Sequence, residues 1–204
     1  MRDTPMFPLG SVLVPAMVLP LHVFEPRYRA LVHRCLADEV EFGVALIERG
    51  FEVGGGDTRT DVACMARIVA HEEYPDGRFG IVAVGTDRVR VSRWLDDDPY
   101  PRADTEPWPD PPAGEATAAL VPTVELELVD LLDRAARRGM GPSPTDLELS
   151  DDPLVFGYQA AALAPVGPLD KLKLLAAPSV EARLELVSEQ LADARILLDA
   201  QRDE

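Results

Sequence analysis

Long hydrophobic runs and cysteines are both scarce in this 204-residue chain. No apolar run approaches the ~20 residues that a helix needs to span a bilayer. Residues 1–5 lack the long apolar stretch of a signal peptide, so the sequence predicts a cytoplasmic protein that does not enter membranes. The chain has only two cysteines, Cys35 and Cys64, too few for a disulfide framework and without the neighbours of a zinc site. We therefore expect buried free thiols.

Lysine is equally rare, since Lys171 and Lys173 are the only examples in the chain. The glycine-rich stretch 54–56 lacks the Gly-Lys-Ser/Thr ending of a phosphate-binding loop and lies far from both lysines. Ser-Lys peptidase chemistry needs a serine beside a lysine of lowered pKa. Ser179 instead has the sequence position of a helix N-cap, and both lysines are expected on an exposed helix. The sequence thus predicts no peptidase or ATPase activity, no catalytic residue and no cofactor.

Positive charge is outnumbered by negative charge throughout the chain. The 20 Lys+Arg and 36 Asp+Glu give a formal net charge of −16. Nucleic acids and anionic membranes are both bound through Lys and Arg, so the composition disfavours both as partners. One local exception is a basic stripe on a predicted strand and its neighbour, which by default pairs with nearby acids and otherwise holds acidic peptide or RNA. The stripe consists of Arg67, Arg88, Arg90 and Arg93.

Two short polar clusters have the residue types of a metal site without its spacing. The run 71–73 is His-Glu-Glu, but no second histidine completes the pattern of a metalloprotease. The run 96–98 is Asp-Asp-Asp, but it lacks the glycine and the distal glutamate of a calcium loop. We expect a strand end and a solvated turn at these places, and no metal.

Short apolar runs bounded by proline and glycine fill the first half of the chain and are typical of strands. Residues 74–78 have the x-Pro-Asp-Gly-x signature of a tight turn, which predicts a hairpin between the runs on either side. We expect residues 85–87 to turn the chain again before an alternating strand at 88–91. Several short strands with regular turns predict a small barrel or curled sheet. The other predicted strands lie within 7–14, 18–23, 42–47, 51–53, 64–70 and 79–84.

Prolines constrain how these runs are used. A central strand cannot contain proline because the ring removes a hydrogen-bond donor, so Pro8, Pro15 and Pro20 are expected at strand starts, edges or bends. Pro26 suits the first turn of a helix. That helix has one apolar face, formed by Tyr28, Leu31, Val32, Cys35 and Leu36.

The second half of the chain has the signals of helices. A proline-rich stretch at 107–114 looks like a linker, and strand patterns stop there. A helical stripe then ends at Gly139, Asp152 precedes a helix-opening proline, and Ser179 caps a last helix. The sequence predicts an α+β fold, with a β-rich subdomain at 1–114 and a helical bundle subdomain at 115–204.

The opening of the chain has a long and specific pattern. Residues 7–28 follow FPL-x-x-V-L-x-P-x-x-x-LPL-x-x-FEPRY, which resembles the start of the N-terminal substrate-binding domain of Lon proteases. The resemblance extends over nearly the whole chain in the same order. Its other segments are 64–68, 74–78, 84–91, 98–103, 169–175 and 180–187, with Lys171 and Arg183 at matching places.

This resemblance implies a PUA-like β-rich subdomain, a helical subdomain and binding of exposed hydrophobic peptide. Lon proteases continue into ATPase and peptidase domains, which this chain lacks, so we expect a stand-alone, non-catalytic and ATP-independent relative. It would bind unfolded or degron-bearing polypeptide, as an adaptor or as an unfolded-protein binder. The alternative is RNA binding through the PUA-like subdomain, which the acidic composition opposes.

Three apolar residues are candidates for contact with a peptide. Met17 and Val18 lie in a connection between prolines, and Phe51 lies beside the glycine-rich stretch. Apolar side chains in such places are often exposed, although a core position is the default expectation for all three. The sequence alone leaves both interpretations open.

Overall fold

The structure is a computed structural model that describes residues 1–50, 56–141, 144 and 147–200. The chain divides into two compact units, Met1–Pro109 and Asp110–Glu204. In the described residues, the strands all lie in the first unit together with one helix, and the second unit is helical. The predicted α+β class is therefore confirmed.

The order of elements follows the prediction in outline. The first unit runs through β1 (Thr4–Leu9), β2 (Val18–Val23), α1 (Pro26–Asp38), β3 (Phe42–Arg49), β4 (Thr58–Glu73), β5 (Phe79–Trp94) and β6 (Arg102–Pro107). The second unit contains α2 (Thr117–Ala136), α3 (Pro153–Leu163), α4 (Pro168–Leu175) and α5 (Val180–Ala200).

Five of the strands close into a barrel. The sheet order is β2-β5-β4-β3-β1-β6, and an additional pairing between β5 and β6 completes the circuit. Only the β1–β3 pair is parallel among the described pairs. The second half of β5 pairs with β6, whereas its first half pairs with β2. β4 and β5 have 16 residues each, so they extend beyond the barrel as a long hairpin arm.

The barrel and the arm have separate packing partners. The barrel encloses a cluster made of Met6, Ala45, Ala63, Met65, Val89, Val91 and Ala103, with Trp94 partly buried against it. On the other face of the sheet, Phe7 stacks on Tyr28 of α1 with ring centroids 4.0 Å apart. His33 of α1 meets Phe79 of the arm edge-on at 5.0 Å. Helix α1 therefore covers one face of the sheet.

The hairpin turn at 74–78 is confirmed. Tyr74 N donates to Arg78 O and Gly77 N donates to Tyr74 O, each at 2.8 Å. Gly77 has a φ of 77°, which favours glycine. The local turn signature was therefore sufficient to place this connection.

The expected turn at 85–87 is wrong, because β5 continues through it with a shift of register against β4. Gly85 is buried in the strand, and a Cβ on it would lie 2.4 Å from the carbonyl oxygen of Val14. Glycine is needed here for close approach of a second backbone rather than for a turn.

The backbone that approaches Gly85 belongs to the connection between β1 and β2. Residues 12–14 were expected within a buried strand, and they are buried, but they lie outside the strands. Ala16 N donates to Gly85 O, and Gly85 N donates to Met17 O, both at 2.9 Å. The connection therefore obtains its hydrogen bonds from β5 without becoming a strand of the barrel.

An ion-pair cluster lies against Trp94. The Arg59 guanidinium lies 5.0 Å from the Trp94 ring centroid and forms salt bridges with Asp57 at 2.6 Å and Asp97 at 2.7 Å. Burial alone would raise the pKa of Asp57, but the hydrogen bonds and charge of Arg59 outweigh it and hold that pKa below its usual value. Arg59 thus fixes the segment before β4 to the loop after β5.

Both cysteines are buried free thiols, as expected. Burial raises the pKa of Cys35 to about 12, and it also raises the pKa of Cys64. A thiol that stays protonated is a poor nucleophile. Both side chains therefore act as small apolar groups of the core.

The helical unit has an apolar core with one buried charge at its centre. Arg183 of α5 is fully buried and lies 2.9 Å from Asp110, whose side chain is also buried. Its Nε donates to Leu174 O at 3.0 Å, and its guanidinium lies 3.9 Å from the Tyr158 ring centroid. The Tyr158 hydroxyl donates to Asp110. Asp110, which opens this unit, is therefore bound by α3 and α5, and Arg183 is in turn bound to α4.

The expected helix ends are confirmed at three places. Asp152 Oδ1 accepts hydrogen bonds from Leu154 N and Val155 N at the start of α3. Ser179 Oγ accepts from Ala182 N at the start of α5. Gly139 follows α2 with a φ of 73°. These caps satisfy backbone groups that a helix end leaves without intrahelical partners.

The Asp57–Arg59 pair should make stability depend on pH. The folded-state pKa of Asp57 lies below its unfolded value of about 3.9, so the stabilisation is present above that pH and is lost as pH falls through the folded pKa. Asp57→Asn should lower the free energy of unfolding at pH 7 by about 1 kcal/mol. The deficit should shrink below about pH 4. Urea titrations followed by Trp fluorescence test this, with Asp61→Asn, an exposed position on β4, as the control. An equal deficit at every pH would contradict it.

Removing one partner of the buried Arg183–Asp110 pair should destabilise the fold more than replacing both partners with apolar residues. Asp110→Ala should lower the free energy of unfolding by about 3–5 kcal/mol, because it leaves the guanidinium buried without its counter-charge. The double variant Asp110→Ala/Arg183→Met should cost clearly less than the sum of the single changes. Denaturation followed by circular dichroism measures all four proteins, and Arg137→Ala, at an exposed ion pair of α2, is the control. Additive costs would disprove the coupling.

Candidate functional site

The arm of β4 and β5, together with β2, presents one face that α1 does not cover. Side chains of directly paired residues lie on the same side of a sheet, and successive residues alternate between sides. Phe79, Ile81 and Ala83 of β5 are buried on the side of α1. The residues between them face the other way. Val18 on this other side is 57% exposed, and Val82 and Val84 are half-buried.

Strand register arranges this surface in three rows of three. Each row crosses β2, β5 and β4 in turn, and neighbouring rows are two residues apart along β5. We call this surface the open sheet face. Its rows, from the upper row to the lowest row, are Val18–Val84–Arg67, Pro20–Val82–Ala70 and His22–Gly80–Glu72.

Proline is compatible with β2 because β2 pairs with a strand on one side only. Pro20 lacks an N–H group, so its nitrogen must face the unpaired edge. The hydrogen bond from Gly85 N to Met17 O supports the same alternation, since it directs residue 17 and every second residue after it toward β5. The predicted edge position of Pro20 is thereby confirmed.

A groove of about 350 Å³ crosses the open sheet face at its two lower rows. Gly80 lines this groove, and a Cβ on it would lie 3.0 Å from the Tyr74 hydroxyl. Tyr74, in the hairpin turn, therefore lies over Gly80. The lining combines apolar and polar groups: Pro20, Leu21, His22, Ala70, His71, Glu72, Gly80, Ile81 and Val82.

The two ends of the open sheet face differ in charge. At the upper row, Arg67 donates to Glu41 Oε1 from Nη2 at 2.9 Å, and Thr86 donates to the other oxygen of the same carboxylate. The positive charge is therefore neutralised. At the lower row, Glu72 is exposed and has no ion-pair partner in the part of the chain that the structure describes.

The three predicted peptide contacts have different positions. Val18 lies on the open sheet face. Met17, next to it, is half-buried, and both its backbone N and O are hydrogen-bonded within the loop and to Gly85. Phe51 lies outside the described residues. Sequence reasoning missed Val82 and Val84, because it assigned their run to a strand without knowing which face remained uncovered.

The four arginines of the predicted basic stripe are not brought together as one surface. Arg67 pairs with Glu41 on the open sheet face, and Arg93 pairs with Asp104 at 2.8 Å. Arg88 and Arg90 instead lie 4.2 and 3.9 Å from the ring centroid of Trp108, and Arg88 Nε donates to the Trp108 carbonyl oxygen. Most of this charge is engaged within the β-rich unit.

The described residues contain no group of three or more metal-ligating side chains and no helix both long and apolar enough to cross a membrane. One lysine differs from expectation. Lys171 is half-buried rather than exposed; its Nζ donates to Ala162 O at 2.8 Å, and burial lowers its pKa. The helix contacts that bury it could not be inferred from its acidic sequence neighbours.

Comparison with known proteins identifies the family of this chain. Residues 3–193 match the model of the ATP-dependent protease La (LON) substrate-binding domain. The chain belongs to this family. The Lon resemblance of the opening segment is therefore confirmed over nearly the whole chain, and the chain contains no ATPase or peptidase domain.

Relatives place this domain in different proteins. Lon protease 2 of Sorangium cellulosum is 31% identical over 91% of this chain and 24% of its own length. A LON peptidase N-terminal domain and RING finger protein of Schizosaccharomyces pombe is 24% identical over 90% of this chain and 43% of its own length. The chain thus spans about a quarter of the Lon proteases it matches.

A solved structure supports the fold directly. The crystal structure of a Lon N-terminal domain protein from Xanthomonas campestris is 27% identical, with a TM-score of 0.66, and the match covers 91% of this chain and 96% of that one. The fold of this chain is therefore similar to that structure over nearly the whole length of both.

Proposed function

We propose that this chain is a non-catalytic module that captures apolar segments of unfolded or degron-bearing polypeptide on the open sheet face, as an adaptor would. One observation carries the proposal: a three-stranded sheet face with apolar side chains at its centre, of which α1 covers only the opposite side. Uncovered apolar surface of this kind marks interaction sites. Membership of a substrate-binding family supports the same function.

The size of the face suits weak and reversible capture. Fully burying a valine side chain contributes about 1.5–3 kcal/mol, and Val18, Val82 and Val84 are already partly buried. Together with Pro20 and Ala70, they should give a gross gain of only a few kcal/mol per segment. Because the entropy lost on association offsets part of this gain, binding should be no tighter than roughly the millimolar to high-micromolar range. Affinity of this order allows a captured chain to be released again.

The contacts of the two residues once considered for peptidase chemistry support a binding role without catalysis. Lys171 Nζ donates to a backbone carbonyl oxygen of α3, and Ser179 caps α5 through its side chain. Each group thus has a structural partner of its own. We propose that the module performs no chemical step.

RNA binding remains the alternative, and the observations favour it less. An RNA site needs arginines that are free to contact phosphates. Arg67 and Arg93 are paired with carboxylates, and Arg88 donates to the Trp108 carbonyl oxygen. The fourth arginine of the stripe, Arg90, stacks on the Trp108 ring.

Replacing one exposed valine should test the polypeptide-binding proposal. Val18→Asp should weaken binding of a reduced and carboxymethylated model protein at least about fivefold, because a carboxylate at this position opposes apolar burial. The position is exposed, so the fold should be retained. Fluorescence anisotropy measures the affinity and circular dichroism checks the fold. Val18→Ser, which adds no charge, should weaken binding in the same direction.

Leu126→Asp is the matched control, because Leu126 of α2 is 73% exposed but lies in the helical unit. It should bind the unfolded protein like the unchanged chain. Equal loss in both aspartate variants, or no binding by the unchanged chain, would contradict the proposal. If the chain instead binds RNA, and this binding requires Arg90, the alternative is supported.

A further inference from the structure

The open sheet face combines apolar rows with one unneutralised charge. This inference rests on the proposed function and concerns which polypeptide segments the face selects. Glu72 lines the groove and is exposed at the end of β4. Arg67, on the same strand, is neutralised by Glu41. A segment lying along the face therefore meets the Glu72 carboxylate at one end and the Arg67–Glu41 salt bridge at the other.

Glu72 is exposed and is therefore accessible to a bound segment. Gly80 lies between Glu72 and His22 in the lowest row, and the Tyr74 side chain occupies the space over it. The Tyr74 hydroxyl adds a polar group at this end. The lowest row is thus a polar end of the groove, whereas the middle row, Pro20–Val82–Ala70, is apolar.

Row spacing sets the pattern that a bound chain must have. Rows are two residues apart along β5, or about 6.6 Å at the rise of a strand. An extended segment running along the face advances by the same amount every second residue. Its side chain above Glu72 would then be followed, two and four residues away, by side chains above Val82 and Val84.

We propose that the open sheet face selects extended segments in which a Lys or Arg lies two residues from the first of two alternating apolar residues. The basic side chain lies at Glu72, and the apolar side chains lie on the rows of Val82 and Val84. Charge complementarity identifies this occupant, because an acidic residue at the same place would be repelled by Glu72. The strong negative charge of the whole chain acts in the same direction but is not specific to this position.

Two peptides of equal length test the selection. Lys-Ser-Leu-Ser-Leu-Ser-Lys places a basic residue two positions from a leucine in either chain direction, and Glu-Ser-Leu-Ser-Leu-Ser-Glu reverses the charge. NMR titration of the ¹⁵N-labelled protein, suited to weak binding, should give a dissociation constant about two- to fivefold lower for the lysine peptide. The ratio should fall as salt is raised.

Glu73 supplies a matched control, because it is an exposed glutamate next in sequence that pairs with Phe79 and therefore points to the other side. Glu72→Gln should clearly reduce the lysine-to-glutamate affinity ratio and leave only the preference that the overall negative charge produces. Glu73→Gln should largely preserve the ratio. Both variants change the net charge equally. Equal loss in both would assign the preference to the overall negative field and overturn the proposal, as would a ratio unaffected by Glu72→Gln.

The outcomes distinguish failure of the charge selection from failure of the proposed function. If both peptides bind equally and Val18→Asp weakens them, apolar capture stands and the charge selection is wrong. If neither peptide binds and Val18→Asp has no effect on unfolded protein, the proposed function itself fails. If sedimentation shows self-association that Val18→Asp abolishes and peptide does not compete with, a second copy occupies the face and the proposal is overturned.

Discussion

The length of β4 and β5 is the constraint on which the first unit depends. Each has 16 residues, whereas β1, β2 and β6 have six and β3 has eight. The barrel can pair only part of the long strands, so the remainder must form an arm. Helix α1 buries one face of that arm, and β2 pairs with its edge. The other face then remains uncovered, and the candidate site is a direct consequence of this mismatch in strand length.

Local chemistry predicted the fold well where one short segment decided the outcome. The Pro-Asp-Gly turn, the Asp152 and Ser179 caps and the end of α2 at Gly139 all depend on residues within one turn. Gly85 misled the same reasoning. A glycine that admits the Val14 carbonyl has the same local sequence as a glycine that turns the chain. Only the distant segment that packs against it distinguishes the two.

The site was less predictable than the fold, for a related reason. Val18 could be proposed from its place between prolines, but Val82 and Val84 join it only through the register of β2 against β5. Ala70 and Glu72 join the same face through the register of β4 against β5, which bulges shift and which cannot be read from alternation. Likewise, Arg67 and Arg93 formed a basic stripe in sequence but are paired with Glu41 and Asp104, which lie 26 and 11 residues away.

The central claim, that polypeptide binds on the open sheet face, is tested most directly by mapping the contact surface. Amide resonances of the ¹⁵N-labelled chain should be compared with and without an unfolded polypeptide. The account predicts that the largest shifts cluster at Val18, His22, Ala70, Val82 and Val84, which share a surface but are distant in sequence. Shifts confined to the helical unit, or clustered around Trp108 and Arg90, would contradict it.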